Sequence, residues 1–336
     1  MYMLYAFIVI FVVSLLCIAI LKHYAHKWHL LDVPNLRSMH KKIMPRGAGI
    51  AFTIAVMLVS PFYYFDFLLS YLWTIFAIFL IFLVGSYDDI VTTSPKIKFL
   101  VIIFSTLLLS NDNIFISSLG TFFSFEITLY WFALPFTIFV VSGFTNALNL
   151  IDGIDGLSGS ISIVILTSFF YIGYRHEDIF IMIFSSIFIA ALFAFLYYNW
   201  YPASIFMGDS GSLLLGFIIS LLGIKSLAYI PAVSILYLGA IPILDTLIVM
   251  IRRKRAGRSF FAADSCHMHH LLKEVLHDNT PRTVYLLVSG QIVYALFGLQ
   301  LNKETDQGIF LVIFMVNIFV LYKLFEKMIE KQKRKC

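Results

Sequence analysis

Four polar side chains spaced three residues apart separate two long apolar stretches of the chain, in the segment NALNLIDGIDGLSGS at 146–160. These side chains are Asn146, Asn149, Asp152 and Asp155. Residues three apart on a helix lie on roughly one side of it, so Asn146, Asn149 and Asp152 can converge. Amide groups beside carboxylates suit the edge of a uracil or the hydroxyls of a sugar. The alternative, helix capping followed by two Asp-Gly turns, explains one Asp-Gly pair well and the regular spacing poorly.

Two other acidic clusters lie at the ends of apolar stretches. Asp88 and Asp89 directly follow one stretch, with Lys98 beyond them, and Asp209 in MGDSGS directly precedes another. Adjacent carboxylates at a helix C-terminus repel each other and are not favoured by the helix dipole, whereas a divalent cation would take their oxygens as ligands. A helix N-terminus is an anion site, so Asp209 suits a phosphate held through magnesium. A solvated turn at the aspartate pair and an N-cap at Asp209 are the structural alternatives.

The segment IRRKRAGRSFFAADSCHMHH at 251–270 combines basic and histidine side chains. Arg258 with His267, His269 and His270 indicates a clamp for a pyrophosphate, since guanidinium groups bind phosphate oxygens in pairs. A zinc site is disfavoured, because zinc-ligand pairs are usually separated by two or more residues and no second pair occurs in the sequence. A plain cytoplasmic loop rich in positive charge is the alternative for the basic run within this segment.

The composition places these clusters in a membrane protein. The chain has 336 residues, of which 60% are hydrophobic and only 13% are charged, against about 25% charged in soluble domains. Eleven apolar stretches are long enough to cross hydrocarbon as helices, although the fourth and eighth are short. We expect an all-α, polytopic fold in one domain over 1–336, with a cytoplasmic basic and histidine loop at 251–282. The stretches are 3–21, 48–65, 67–85, 97–110, 127–145, 157–173, 179–198, 212–224, 228–250, 283–300 and 308–325.

The distribution of Lys and Arg predicts how the bundle is oriented. With the N-terminus outside and the C-terminus cytoplasmic, all 24 Lys and Arg residues except Arg175, Lys225 and Lys303 fall on the cytoplasmic side. Every polar cluster then falls on the same side, so we expect a site at the cytoplasmic face of the cell membrane. The net charge of +5 indicates contact with anionic membrane lipids and not with a nucleic acid.

In their order along the chain, from about residue 28 to about residue 272, these clusters resemble the polyprenyl-phosphate N-acetylhexosamine-1-phosphate transferases. That superfamily includes bacterial enzymes that start O-antigen and wall teichoic acid, and also the phospho-N-acetylmuramoyl-pentapeptide transferase. The resemblance implies transfer of a sugar 1-phosphate, first of all N-acetylglucosamine 1-phosphate, from a UDP-N-acetylhexosamine to undecaprenyl phosphate. The implied products are UMP and a lipid-linked sugar pyrophosphate that starts a cell-surface polysaccharide. It also implies a Mg²⁺ cofactor, for which Mn²⁺ can substitute, and the homodimer that is common in the family.

The resemblance assigns roles to the residues at matching positions. The catalytic residues are Asp88, Asp89 and Asp209. The magnesium ligands are Asp209 and Asp88. The groups that bind the lipid phosphate are Lys98 and, in the first loop motif DVPNLRSMH, Asp32 and Arg37. The nucleotide-sugar contacts are Asn146, Asn149, Asp152, Asp155, Arg258, His267, His269 and His270.

Several alternatives remain open from the sequence. Ser265 lies where relatives tend to have a basic residue, which leaves the donor sugar undecided. UDP-sugars of the bacillosamine, N-acetylfucosamine or N-acetylquinovosamine type suit the same chemistry, and UDP-MurNAc-pentapeptide ranks below them. A cation or solute transporter using intramembrane aspartates is the alternative from another class. Carboxylates at helix ends on one face, without a sequence repeat, argue against transport, whose sites lie near the bilayer midplane.

Overall fold

Helices form most of the chain in the computed structural model, which describes residues 1–34, 42–259, 266–304 and 306–331. The helices in these ranges are α1 (Tyr2–Tyr24), α2 (Ala48–Leu69), α3 (Leu72–Ile90), α4 (Pro95–Leu109), α5 (Ala133–Ile151), α6 (Leu157–Arg175), α7 (Ile179–Asn199), α8 (Asp209–Ser226), α9 (Ala232–Leu238), α10 (Ala240–Arg255), α11 (Met268–Val275), α12 (Thr280–Gln300) and α13 (Gln307–Lys331). The strands are β1 (Leu31–Asp32), β2 (Met44–Pro45), β3 (Ser118–Phe122) and β4 (Phe125–Thr128). The prediction of a predominantly helical membrane protein is confirmed, with two antiparallel strand pairs, β1–β2 and β3–β4, that the sequence patterns did not indicate.

Among the described residues, nine helices are long and apolar enough to cross a membrane, or ten spans if α9 and α10 count as one. Those two helices meet at 87° and replace the single stretch predicted at 228–250. The stretch predicted at 97–110 forms α4, whose 15 residues reach about 22 Å, less than the ~30 Å of a hydrocarbon core. The expected count of eleven spans and the expected orientation therefore stay predictions.

The centre of the bundle is α8. In its most apolar stretch of 18 residues, 89% of the residues are buried, whereas the share is 28% in α1 and in α13. It packs against α3 and α5 and also touches α2, α6 and α7. Gly216 permits the close approach to α5, because a Cβ at this position would lie 2.6 Å from Thr145 Cα. The N-terminus of α8, which begins at Asp209, is therefore held by several neighbouring helices.

The two ends of the bundle gather different side chains. One end brings together Asp88, Asp209 and Lys98, from α3, α8 and α4. At the other end, Asp112 accepts hydrogen bonds from the backbone N–H and hydroxyl of Thr74 at the start of α3. The β3–β4 hairpin packs against the start of α13 at this second end. The predicted carboxylates Asp88 and Asp209 thus meet at one end of the bundle.

Candidate active site

Two carboxylates from distant parts of the chain share one lysine. Asp88 lies in the last turn of α3, and Asp209 lies in the first turn of α8. Lys98 Nζ lies 2.8 Å from Asp88 Oδ2 and 2.5 Å from Asp209 Oδ2. The other oxygen of Asp88 accepts hydrogen bonds from the backbone N–H and the hydroxyl of Thr93, at 2.8 and 2.6 Å. Asp88 is therefore fixed through both oxygens, and the three charged groups form one cluster, the Lys98 cluster.

Asp89 has different partners from its neighbour Asp88. It is 2% exposed, and its oxygens accept hydrogen bonds from the backbone N–H groups of Asp209 at 2.8 Å and Ser210 at 3.1 Å. A carboxylate in this place is stabilised by the positive end of the α8 dipole. Gly208 is required beside it, because φ is 79° and a Cβ would lie 2.5 Å from both carboxylate oxygens. Asp89 thus fixes the backbone that carries Asp209, and its predicted catalytic role stays a prediction.

Asn149 lies beside the Lys98 cluster, as expected for a residue of the site. Its Nδ2 donates to Asp209 Oδ1 at 3.2 Å and to Ser212 Oγ at 2.8 Å. Asn146, about one turn earlier in α5, is exposed and makes no side-chain hydrogen bond to another described residue. The predicted convergence of amides on the carboxylates therefore includes Asn149, and the role of Asn146 stays a prediction.

The two aspartates of the Asp-Gly turns have different environments. Ser158 Oγ donates a hydrogen bond to Asp152 Oδ1. Burial raises the pKa of Asp152 to about 7 in spite of that bond, and the negative charges of Asp209 and Asp89 add to the rise. Asp155 Oδ2 accepts a hydrogen bond from the backbone N–H of Ala203 at 2.9 Å. Asp152 therefore lies close to the charges of the site, whereas Asp155 holds the loop that leads to α8.

Asn199, at the end of α7, joins these loops and was not predicted as a site residue. Its side chain is buried, with Oδ1 accepting from the Gly156 N–H and Nδ2 donating to Ile205 O, both at 2.9 Å. One amide thereby connects the second Asp-Gly turn to the segment before Asp209. The only signal in the sequence is a single Asn at the end of a long apolar stretch, which does not distinguish a buried strut from a surface residue.

The histidine segment, residues 266–270, packs against α10 through one buried carboxylate. Asp245 Oδ2 lies 2.8 Å from His267 Nδ1, and Asp245 Oδ1 accepts a hydrogen bond from the Met268 N–H at 2.6 Å. Arg252 Nη1 donates to the backbone oxygen of Cys266 at 2.8 Å. Two residues of α10 therefore hold the segment, and Asp245 was not among the predicted residues.

His269 connects the histidine segment to the first Asp-Gly turn. It is 1% exposed, and a Cβ built on Gly153 would lie 2.3 Å from its Nε2. Burial, and then the adjacent His270, hold the pKa of His269 well below its ordinary value, so the ring is neutral near pH 7. Neither ring nitrogen has a hydrogen-bond partner within the described residues. The histidine segment and the first Asp-Gly turn are therefore in contact. Both regions were predicted to bind the nucleotide sugar, although they lie far apart in the sequence.

The remaining predicted residues lie away from this contact or outside the described ranges. Arg258 is exposed after α10, and its backbone N–H donates to Arg253 O at 2.9 Å. Asp32 lies in β1, paired with Met44 of β2. Arg37 falls outside the described residues. The roles expected for these residues stay predictions.

The Lys98 cluster has the donor groups that a magnesium ion needs from a protein. No group of three His, Cys, Asp or Glu side chains that could hold a metal occurs in the part of the chain that is described. Magnesium, however, is commonly held by only one or two carboxylates, with water and substrate phosphates as its other ligands. Asp88 and Asp209 already face one cationic group, the Lys98 ammonium. The two carboxylates therefore fit Mg²⁺ as a site completed by substrate.

The fold and the site together define a polytopic membrane protein with charged and amide side chains at one end of its helices. Residues 71–227 match the family model described as glycosyl transferase family 4. This range contains Asp88, Lys98, Asn149 and Asp209, the residues that meet in the structure. The chain belongs to this family, in which the predicted polyprenyl-phosphate N-acetylhexosamine-1-phosphate transferases are found.

Similarity to individual relatives extends over most of the chain. A probable undecaprenyl-phosphate N-acetylglucosaminyl 1-phosphate transferase of Bacillus subtilis (strain 168) is 32% identical, over 94% of this chain and 89% of the relative. The undecaprenyl-phosphate alpha-N-acetylglucosaminyl 1-phosphate transferase of Escherichia coli (strain K12) is 28% identical over 93% and 88%. A phospho-N-acetylmuramoyl-pentapeptide-transferase of Clostridium beijerinckii is 36% identical, but over only 44% of this chain and 45% of the relative.

Proposed function

We propose that the chain transfers N-acetylglucosamine 1-phosphate from UDP-N-acetylglucosamine to undecaprenyl phosphate. UMP leaves, and the lipid-linked sugar pyrophosphate starts a cell-surface polysaccharide. The convergence of Asp88, Lys98 and Asp209 at one end of an apolar bundle, beside Asn149, carries this proposal. Relatives named for the N-acetylglucosaminyl transfer match this chain over 93 to 94% of its length, which supports this donor over the alternatives.

The position of the site suits two substrates of opposite solubility. A UDP-sugar is a cytosolic anion that cannot enter hydrocarbon, whereas the polyprenyl chain cannot leave it. Asp88 and Asp209 lie at helix ends, where both substrates can reach them. The exposed fractions of the Lys98 and Asp209 side chains, 21% and 26%, leave room for a phosphate to approach. The site is accordingly proposed to lie on the cytoplasmic face of the cell membrane.

The charge of the diphosphate is the main obstacle that this site has to overcome. With Mg²⁺ bound, or Mn²⁺ in its place, the site gains a Lewis acid that neutralises the diphosphate oxygens and stabilises the departing UMP. Asp88 and Asp209 would hold the ion. Lys98 would then turn from these carboxylates to a substrate phosphate, since a flexible ammonium is a suitable point charge for it.

The acceptor phosphate needs little activation by the protein. A phosphate monoester has a second pKa near 6, so its oxygens are largely deprotonated at neutral pH. An acceptor oxygen can then attack the donor β-phosphorus in line, forming one P–O bond while the bond to UMP breaks. In this direct displacement Asp88 positions the acceptor and removes no proton. A phosphorylated Asp88 or Asp89, trapped from protein and UDP-sugar alone, would contradict it in favour of a covalent intermediate.

The donor is proposed to lie between the Asp-Gly turns and the histidine segment. Asn149 and Asp152 offer an amide and a carboxyl group for uridine or sugar hydroxyls. The contact between Gly153 and His269 brings the histidine segment to the same place. This position next to the Lys98 cluster would align the β-phosphorus with the acceptor phosphate.

Another donor sugar is the nearest alternative, and transport is the alternative from another class. The muramyl-type relative matches only 44% of this chain, which disfavours UDP-MurNAc-pentapeptide. Only an activity assay distinguishes UDP-N-acetylglucosamine from donors of the bacillosamine, N-acetylfucosamine or N-acetylquinovosamine type. Transport is disfavoured because Asp88 and Asp209 lie at helix ends and not at mid-depth, where transporter sites form.

The test is an assay of the full chain, purified in detergent, with undecaprenyl phosphate, Mg²⁺ and a panel of UDP-sugars. Label from both the sugar and the β-phosphate should enter the lipid phase, with UMP as co-product. Transfer should stop when Mg²⁺ is chelated and in Asp209→Asn. The matched control is Asp112→Asn, which changes a carboxylate at the opposite end of the bundle and should keep the activity. Folded protein that binds a UDP-sugar and transfers nothing from any donor would contradict the proposal.

A further inference from the structure

Asp245 is a buried carboxylate in the middle of α10 that the proposed reaction leaves without a role. It is 2% exposed, and both of its oxygens are directed at the histidine segment. We propose that Asp245 is a positioning residue, which acts through His267 to hold the phosphates of the nucleotide-sugar donor. The inference rests on the proposed function, because it assigns the donor to this side of the site.

The geometry decides which atom of His267 is left for a ligand. An ionised carboxylate can only accept hydrogen bonds, so His267 Nδ1–H donates to Asp245 Oδ2 across 2.8 Å. The opposite ring nitrogen, Nε2, is then the one available to a ligand. A phosphate oxygen also only accepts, so it is bound by the imidazolium form, in which Nε2 carries a second proton, and a carboxylate behind the ring favours that cation. Asp245 therefore sets both the orientation and the polarity of the imidazole.

The same carboxylate also fixes the backbone from which the ring projects. Asp245 Oδ1 accepts the Met268 N–H at 2.6 Å, one residue beyond His267 at the start of α11. The side chain and the following peptide group are thus held by one group on a long helix. This leaves little freedom for the ring, as a preorganised binding group requires.

His267 also belongs to the surface that meets the donor-binding turn. Its ring stacks on that of His269, with centroids 5.8 Å apart and planes at 16°. His269 in turn touches the backbone at Gly153, the residue after Asp152. A ligand bound along the Asp-Gly turns would therefore meet this histidine pair, and its anionic part is the one that the imidazole suits.

A double-mutant cycle separates this role from a purely structural one. Asp245→Asn keeps an oxygen for the Met268 N–H but replaces the partner of His267 Nδ1 by an NH₂ donor without charge. We expect Asp245→Asn to weaken the binding of UDP and UDP-N-acetylglucosamine about tenfold, by analogy with the lower end of the effect of removing a partner that orients a metal-binding histidine. In a His267→Ala background, the same substitution should cause no further loss of affinity. Equal losses in both backgrounds would contradict the proposal and indicate a structural role.

The ligand class is tested by shortening the probe. Uridine lacks phosphate, so its binding should be unchanged by Asp245→Asn, whereas that of UDP should weaken. An equal loss for uridine and UDP would contradict the assignment to the phosphates. The matched control is Asp178→Asn, at the start of α7. Like Asp245, Asp178 accepts one hydrogen bond from a backbone N–H, that of Ile181, and one from an aromatic side chain, through the Tyr229 hydroxyl. This control should leave UDP affinity unchanged.

A measurement on the unaltered chain keeps the test valid if Asp245→Asn fails to fold. Ring ¹⁵N shifts of selectively labelled histidine, assigned with His267→Ala, should show a proton on Nδ1 of His267. A neutral ring protonated on Nε2 would contradict the proposal.

The result of the double-mutant cycle is separable from the proposed function, because wild-type protein that transfers no sugar phosphate contradicts that function whatever the cycle shows. Active wild-type protein with an additive cycle contradicts only the role of Asp245.

Discussion

At the scale of single residues, Lys98 decides how the site is charged. Its ammonium touches Asp88 and Asp209, so without a metal it is the group that offsets their repulsion. Lys98→Met should lower the transfer rate by at least about 100-fold, since it removes the charge that is proposed to meet the substrate phosphate. Initial rates at saturating donor test this. Lys96→Met is the control, because Lys96 is exposed two residues earlier, and equal rates for both variants would contradict the role of Lys98.

Asp152 makes the stability of the substrate-free protein depend on pH. Its pKa is about 7 in the folded chain, chiefly through burial, and near 3.9 when unfolded. A raised carboxyl pKa gives stability that is fully present below the unfolded pKa and is lost as pH rises through the folded pKa. The side chain at this position in the variant Asp152→Asn cannot titrate. The difference in Tm between the variant and wild type should therefore increase in favour of the variant as the pH rises from 5 to 8. Parallel Tm curves over this range, measured without substrate, would show that Asp152 is not buried as described.

At the scale of elements, the turn into α8 is the feature that brings the site together. Asp89 binds the N–H groups of Asp209 and Ser210, and Gly208 leaves the space for it. Gly208→Ala would place a Cβ 2.5 Å from the Asp89 oxygens and should displace Asp209. A shift of about 1 Å at a reacting centre can cost roughly 100-fold in rate, so we expect a loss of this order in kcat.

The control for Gly208→Ala is Gly257→Ala. Gly257 also has a positive φ, 69°, but a Cβ there would meet no described atom within 4 Å. Both variants place an alanine at a positive φ, and only Gly208→Ala adds the clash. Similar kcat values for the two variants would mean that the position of Asp209 does not depend on Asp89.

At the scale of the whole molecule, the grouping of polar side chains at one end predicts a one-sided enzyme. UDP-sugar should be used only from the side on which the loops around Asp88 and Asp209 are exposed. Sealed proteoliposomes of known orientation, with donor supplied inside or outside, test this. Transfer from the C-terminal side alone is the expected result, and equal transfer from both sides would contradict a fixed site at one membrane face.

The class of the protein and many of its site residues could be predicted from the sequence. A chain that is 60% hydrophobic can bury its apolar stretches only in helices that span lipid, so the helical membrane fold followed from composition. Asp88, Asp209 and Asn149 were recognisable because paired carboxylates, an aspartate between glycines and regularly spaced amides follow one another in the order of the family's motifs. The number of spans was less certain, since α4 is short and the stretch at 228–250 bends by 87°.

By itself, then, the sequence determined the helical membrane class, the family resemblance and the residue types of the site, because hydrophobic length and motif order are local properties of the chain. The tertiary structure decided which of these residues touch. Lys98 meets Asp209 across 111 positions, Asp89 accepts hydrogen bonds from the backbone at the start of α8, and Asp245 lies behind His267. No local pattern encodes such contacts, because they depend on how α3, α4, α8 and α10 pack around one another.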